Sequence, residues 1–352
     1  MTFEQIKQKV TQAFEAQMPF AVFCLPNSEE VVAFVQKDRE LYNPEPKESG
    51  FLLTDFLTDQ HLIIPLEHSD RYMCDLGQEL AELEEFSGEL SEMDRESYQG
   101  IIQDALQAIE RERFSKVVLS RPYKQPLSQL AIADLTDRLL RSYTNAMRYV
   151  WYHPQTGIWC GATPEVLIEV WGNTFKTMAL AGTKPYHEIH PPQWTAKELA
   201  EQQYVKDAIG DRISKFTSLL KVSKTENHRA GNLMHLKTLF SGVMHKQKKI
   251  HEMIDVLHPT PAICGTPTKN AKEFIIANEG YDRSFYTGYL GPRCHLSRET
   301  KLFVNLRCMH IADNTATLYA GGGITQGSDP QDEYDETQNK LKTMLHVLAP
   351  FV

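Results

Sequence analysis

The chain has 352 residues, 41% of them hydrophobic, enough to bury one large core or two ordinary ones at about 150 residues per domain. It sets 37 Lys and Arg against 46 Asp and Glu, a formal charge of −9, with no long basic run. That balance argues against nucleic acid as the main partner, because phosphate binding relies on clustered cations. No apolar stretch reaches the roughly 18 residues that a membrane span needs, so no membrane partner is expected. Residues 1–17 mix charged and apolar side chains and read as an amphipathic helix rather than a signal peptide. Six scattered cysteines (Cys24, Cys74, Cys160, Cys264, Cys294, Cys308) contain no Cys-x-x-Cys pair, which fits reduced thiols and a cytoplasmic location.

Along the chain, short apolar runs at Phe20–Leu25, Val31–Val35, Phe51–Leu53 and Leu62–Leu66 predict strands. Residues 76–96, rich in Glu and Leu, read as an exposed helix or a charged connector. Ile101, Ile102, Ala105, Leu106 and Ile109 recur at helical spacing and predict a helix over 98–113. The β-branched segment Lys116–Arg121 follows as a strand that Pro122 ends. Ala131–Tyr143 reads as a helix, and Tyr149–His153, Ile158–Ala162, Val166–Trp171 and Thr174–Ala181 as strands joined by Gly, Pro or Asn turns. Thr195–Leu220 reads as one long helix, Phe303–Ile311 and Ala316–Ala320 as a hairpin around Asp313-Asn314, and Asp329–Leu348 as the last helix. Strands cluster between long helices rather than alternating with them, so an antiparallel α+β fold is expected over a doubly wound one.

Two Glu-x-x-Glu pairs, Glu198 with Glu201 and Glu333 with Glu336, each share one face of a predicted helix. A single such pair is ordinarily a solvated surface; two on facing helices would supply the oxygen ligands that Mg²⁺ prefers. The run Gly321-Gly322-Gly323 ends a strand, where glycine either makes a tight turn or lets backbone N–H groups approach an anion. Lys116 opens a strand expected to be buried, and a buried lysine either acts as a base or snorkels to water. Glu165 follows a Pro-fixed turn. Arg307 sits inside an apolar stretch, Leu302–Met309, where it needs an anion or a structural salt bridge. His258, within Leu257-His-Pro-Thr-Pro261, is by default a hydrogen-bonded core histidine.

Taken in order, Lys116-Val-Val-Leu-Ser-Arg121, Gly161-Ala-Thr-Pro-Glu165, Ala179-Leu-Ala-Gly-Thr183, Leu257-His-Pro-Thr-Pro261, Phe303-Val-Asn-Leu-Arg307, Tyr319-Ala-Gly-Gly-Gly-Ile324 and Glu333-Tyr-Asp-Glu-Thr-Gln-Asn-Lys340 resemble the motifs of the chorismate-utilising enzymes over about residues 98–350. The resemblance is closest to isochorismate synthases of menaquinone or siderophore pathways. It implies a large α+β fold of mainly antiparallel sheets packed centrally with helices outside. Residues 96–352 would form the chorismate-binding catalytic domain, and residues 1–95 a variable part that completes it.

The resemblance also assigns roles. Lys116 would be the base that activates water for attack at C2, and Glu165 the acid that protonates the departing C4 hydroxyl. Mg²⁺ would be held by Glu201 and Glu336, with Glu198 and Glu333 beside them. Lys340 would meet the ring carboxylate, and Arg307 and Tyr286 the enolpyruvyl carboxylate. Gly321 and Gly323 would offer backbone donors, Gly182 and Thr183 a substrate-contacting loop, and His258 a pocket wall. The chain is acidic and chorismate is a dianion, so binding requires a metal and local cations to reverse the field. Ala181 stands where aminodeoxychorismate synthases carry a nucleophilic lysine, and Lys116 stands where anthranilate synthases lack one. No glutaminase subunit is therefore expected. Salicylate synthases, which share Lys116 and Glu165, are the nearest alternative, and an inactive chorismate-binding subunit is another. Departures from the pattern are Arg283-Ser284 for a common Arg-Gly, the segment Arg293–Thr300 for a Gly- and Asp-rich turn, and Gln202 for a histidine.

Overall fold

The computed structural model describes residues 1–77, 81, 86, 88, 90–92, 94–186, 192–230, 233–247 and 249–352. Most of the Glu- and Leu-rich stretch at 76–96 lies outside them. The fold is α+β, built on two nine-stranded sheets in which every pairing is antiparallel. The first sheet runs Gly265–Thr266, Lys116–Pro126, Thr315–Ile324, Cys308–Ala312, Gly157–Thr163, Met147–His153, Phe20–Cys24, Glu30–Gln36, Ser69–Asp75. The second runs Thr217–Val222, Leu233–Met244, Thr174–Pro185, Val166–Trp171, Glu299–Val304, Tyr289–Cys294, Gly50–Thr54, His61–Pro65, with Glu226–Ala230 also paired to Leu233–Met244. Strands from the first 75 residues thus lie in both sheets.

The side-chain period of two explains the layering. In Met147–His153 every residue is buried: Met147, Tyr149 and Trp151 face a core shared with Phe51, Leu53 and Phe303 of the second sheet, whereas Val150 and Tyr152 face a core with the outer helices. The aromatic inter-sheet core includes Phe23, Phe34, Trp159 and Phe285, each worth on the order of 2 kcal/mol or more when removed from water. Helices Phe3–Glu15, Ile132–Arg141 and Pro330–Leu348 cover the first sheet. Ala196–Ser214 covers the second through Val205, Ile209 and Ile213, and Ile250–Leu257 does so through Met253 and Leu257.

Three expectations are corrected. Pro122 does not end its strand, which continues to Pro126 paired with Thr315–Ile324. On its other flank this strand has only the two-residue partner Gly265–Thr266, so an edge tolerates the missing N–H. The expected helix Thr195–Leu220 stops at Ser214, and Thr217–Val222 is an edge strand. The expected strand Phe303–Ile311 is two strands in different sheets. Glu299–Val304 lies in the second sheet and Cys308–Ala312 in the first, with Asn305, Leu306 and Arg307 crossing between them. Arg307, with φ +47°, is therefore on a crossover rather than in a strand.

Candidate active site

A second crossover lies beside the first. The chain leaves the first sheet at Thr163 and enters the second at Val166, which places Glu165 between the sheets. The two crossovers are stitched together: Thr163 Oγ1 donates to the Val304 carbonyl (2.5 Å), Val304 N to Glu165 O (2.9 Å) and Ala162 N to Arg307 O (3.0 Å). At this junction opens a cavity of about 80 Å³. Glu165, Gly182, Thr183, Glu201, Tyr286, Arg307, Gly321, Gly323 and Lys340 line it, as does His235, which the sequence reading did not single out.

Glu165 is buried, and burial raises its carboxyl to about 8 although Lys116, Thr260 and Lys340 pull the other way. Its Oε1 accepts a long hydrogen bond from Thr260 Oγ1 (3.4 Å). At neutral pH this group holds a proton, as a donor must. Lys116 is fully buried behind the cavity wall, with Nζ 3.0 Å from Glu201 Oε1. The contact is one of charge: Nζ has no aligned hydrogen bond among the described residues.

The cavity also holds cationic and polar groups. Arg307 donates to Thr343 Oγ1 (3.1 Å) and has no carboxylate ion pair among the described residues. Burial lowers its guanidinium to about 10, which leaves it charged at neutral pH. Lys340 donates to Gly321 O (2.7 Å) and to Glu336 Oε1 (2.6 Å). Tyr286 stacks on Tyr319 with centroids 5.1 Å apart and planes 13° apart.

Gly182, with φ +69°, forms a bulge between Ala181 and Thr183. Its carbonyl meets His235 Nδ1 at 2.9 Å, so Nδ1 carries the proton and donates. Burial and the charges of Arg307 and Lys340 lower this imidazole to about 3 and keep it neutral. Nε2 is then a buried acceptor with no partner among the described residues. The sequence signal was a lone histidine in the apolar run Leu233, Met234, Leu236. His258, by contrast, does not line the cavity; its Nε2 meets the Phe56 carbonyl at 3.1 Å and its ring packs edge-on against Tyr289.

The four glutamates lie on the two helices flanking the glycine run, and each meets one lysine. Glu201 meets Lys116 at 3.0 Å, Glu198 meets Lys184 at 3.7 Å, Glu333 meets Lys197 at 2.5 Å and Glu336 meets Lys340 at 2.6 Å. The glycines permit this approach: a Cβ on Gly322 would stand 2.8 Å from Glu333 Oε2, and one on Gly323 2.2 Å from Glu201 Oε1. Glu198 and Glu336 line a neighbouring cavity that shares Thr183 with the first. Against the upward push of burial, Thr195 and Lys184 hold the Glu198 carboxyl below its usual range, because Thr195 N and Oγ1 donate to Oε2 at 2.7 and 2.6 Å. Thr195-x-x-Glu198 is a capping-box signature that was legible in the sequence. Glu333 is buried, and burial with the nearby Glu336 charge raises its carboxyl.

Among the described residues no three His, Cys, Asp or Glu converge as a finished metal cage. The donor set nevertheless fits Mg²⁺, being carboxylate oxygens only, with both Glu333 oxygens lacking an aligned hydrogen bond despite Lys197 nearby. The departures from the family pattern have local explanations. Ser284 adopts φ +48° where glycine is common, held by its N–H to Asp282 Oδ1 (2.8 Å). Gln202 Nε2 ties its helix to Ala179 O and Thr238 Oγ1, both at 3.2 Å.

Two antiparallel sheets that exchange strands at this cavity define a recognised class. The family described as chorismate binding enzyme matches residues 66–349, and the chain belongs to it. Among individual relatives, isochorismate synthase DhbC of Bacillus subtilis (strain 168) is 30% identical over 279 residues, 72% of this chain and 68% of that protein. The crystal structure of a putative 2,3-dihydroxybenzoate-specific isochorismate synthase, DhbC, from Bacillus anthracis superposes with TM-score 0.81 at 23% identity, covering 97% of this chain and 99% of that one. MenF, the menaquinone-specific isochorismate synthase from Escherichia coli, superposes with TM-score 0.78 at 21% identity, covering 94% and 88%. Relatives thus include both menaquinone and siderophore types, and the structural likeness is one of fold.

Proposed function

We propose that the protein is an isochorismate synthase, interconverting chorismate and isochorismate by water attack at C2 with loss of the C4 hydroxyl. The observation that carries this reading is the pairing, in one cavity, of a buried carboxyl raised to about 8 with a guanidinium that has no carboxylate partner among the described residues. Glu165 is poised to give a proton to a leaving hydroxyl, and Arg307 to receive a substrate carboxylate in a bidentate grip. Tyr286, in the same wall, would meet that carboxylate, and Lys340, which also lines the cavity, would meet the ring carboxylate. The lone pair of His235 Nε2 suits a substrate hydroxyl. Lys116 would take the proton of the attacking water. In this site a bound Mg²⁺ would neutralise and orient the ring carboxylate, held by Glu201 and Glu336 with Glu198 and Glu333 beside them.

For Lys116 to reach the attacking water, its 3.0 Å contact with Glu201 has to be relieved. Ala181, which lines the cavity, offers no nucleophile for an amine-transfer route. Residues 96–352 would form the catalytic domain and residues 1–95 would complete it, a reading supported by the N-terminal strands in both sheets. No helix among the described residues is long and apolar enough to cross a membrane, and a cytoplasmic enzyme is the setting we infer.

The test is an end-point product analysis after incubation with chorismate and Mg²⁺. Isochorismate is the expected product. Fluorescent salicylate would instead make the protein a salicylate synthase, and neither product would make it an inactive binding subunit.

A further inference from the structure

Each of the four candidate metal glutamates already holds a lysine, so a cation entering this site meets competition rather than an open cage. The four lysines are not equivalent. Lys116 is fully buried, Lys340 is tied to the Gly321 carbonyl at 2.7 Å, and Lys184 is tied to Gln193 O at 2.7 Å. Lys197 alone among them combines 21% side-chain exposure with no hydrogen bond or ion pair to a group other than Glu333 among the described residues. Its partner is the most buried of the four carboxylates, with 1% exposure and no aligned hydrogen bond to either oxygen. Lys197 also feels Glu336 and Glu201, so one ammonium serves the carboxylates of both helices.

We propose that Lys197 stands in for the divalent cation at Glu333 in the metal-free protein, and so sets how tightly the empty site takes a cation. The inference rests on the proposal that these glutamates form the metal site. An ammonium and a dication are both drawn to the same buried carboxylate, and their like charges oppose one another there. Lys197 has a route to water, because its long stem can swing outward while its charge stays solvated. In the metal-free protein it compensates the most buried of the four carboxylates.

The experiment titrates the substrate-free protein with Mn²⁺ and reads free Mn²⁺ by electron paramagnetic resonance. K197M removes the competing charge and should bind Mn²⁺ about tenfold more tightly than wild type. K197R keeps the charge and should remain within about threefold of wild type. The double variant K197M/E333Q should lose the gain, because the gain acts through Glu333. Unchanged or weaker binding by K197M, with wild type still binding, overturns the proposal, as does a gain that survives in the double variant. Should K197M fail to fold, Mn²⁺ binding by K197R more than tenfold tighter than wild type would overturn it as well. Absence of binding in wild type and all variants would overturn the metal-site reading along with this inference.

Discussion

Lys116 Nζ and Glu201 Oε1 meet at 3.0 Å across a strand that has no side chain at the crossing point. A Cβ on Gly323 would stand 2.2 Å from that oxygen and 3.0 Å from Lys116 Cε. The base candidate and a metal-ligand candidate are thus brought together by a glycine. Gly323→Ala should displace the carboxylate by about an ångström and lower kcat/KM by roughly 100-fold, the cost of a misplacement of that size. The melting temperature should move far less, since only a side-chain terminus must yield. Full activity in this variant would remove the argument for the glycine.

Glu165 supplies a pH prediction. Burial raises its carboxyl from 4.5 to about 8, so between these values the folded chain keeps a proton that the unfolded chain has lost. Its contribution to stability is complete below pH 4.5 and is lost as pH rises through about 8. Glu165→Gln should therefore flatten the stability profile across that window, as urea midpoints at a series of pH values will read. For catalysis, kcat/KM should fall above about pH 8. The isomerisation takes up no net proton, so both directions should share that profile. Equal pH slopes in wild type and variant would mean that the carboxyl does not titrate there.

Removal of either proton-transfer group should lower kcat by about 10²–10⁴-fold while binding survives. Lys116→Ala should fail in both directions, because base and acid exchange roles when the reaction reverses. Near wild-type conversion of isochorismate to chorismate by this variant would exclude Lys116 as the base.

Arg307→Lys retains a charge but not the planar fork, and KM should rise by roughly tenfold or more. An unchanged KM would assign Arg307 a purely structural role at the crossover.

The two histidines should separate cleanly. His235→Phe removes the only buried acceptor facing the cavity from that ring and should raise KM with little loss of stability, whereas His258→Phe should lower the melting temperature with KM nearly unchanged, because its bond runs to the Phe56 carbonyl. Kinetics and thermal unfolding of both variants decide it; the opposite pattern would restore His258 to the pocket.

The sequence by itself determined the motif order, the antiparallel α+β class and the presence of most of the outer helices, because hydrophobic period and ordered motifs are local properties. Residues such as Lys116, Glu165 and Arg307 were legible as a charge at a strand start, a carboxyl after a fixed turn and a cation among apolar neighbours. Only the tertiary structure decided that Arg307 and Glu165 sit on stitched crossovers between two sheets. A continuous apolar run does not reveal where a strand changes sheet, so Phe303–Ile311 read as one strand. It likewise showed that His235 lines the cavity whereas His258 does not, since a histidine's neighbours in space are not its neighbours in sequence. The pairing of Glu201, Glu198, Glu333 and Glu336 with Lys116, Lys184, Lys197 and Lys340 was also invisible. Only the i, i+4 pair Glu336–Lys340 is local; the other contacts form when packing removes water from between elements distant in the chain, and burial then fixes which charges must answer one another.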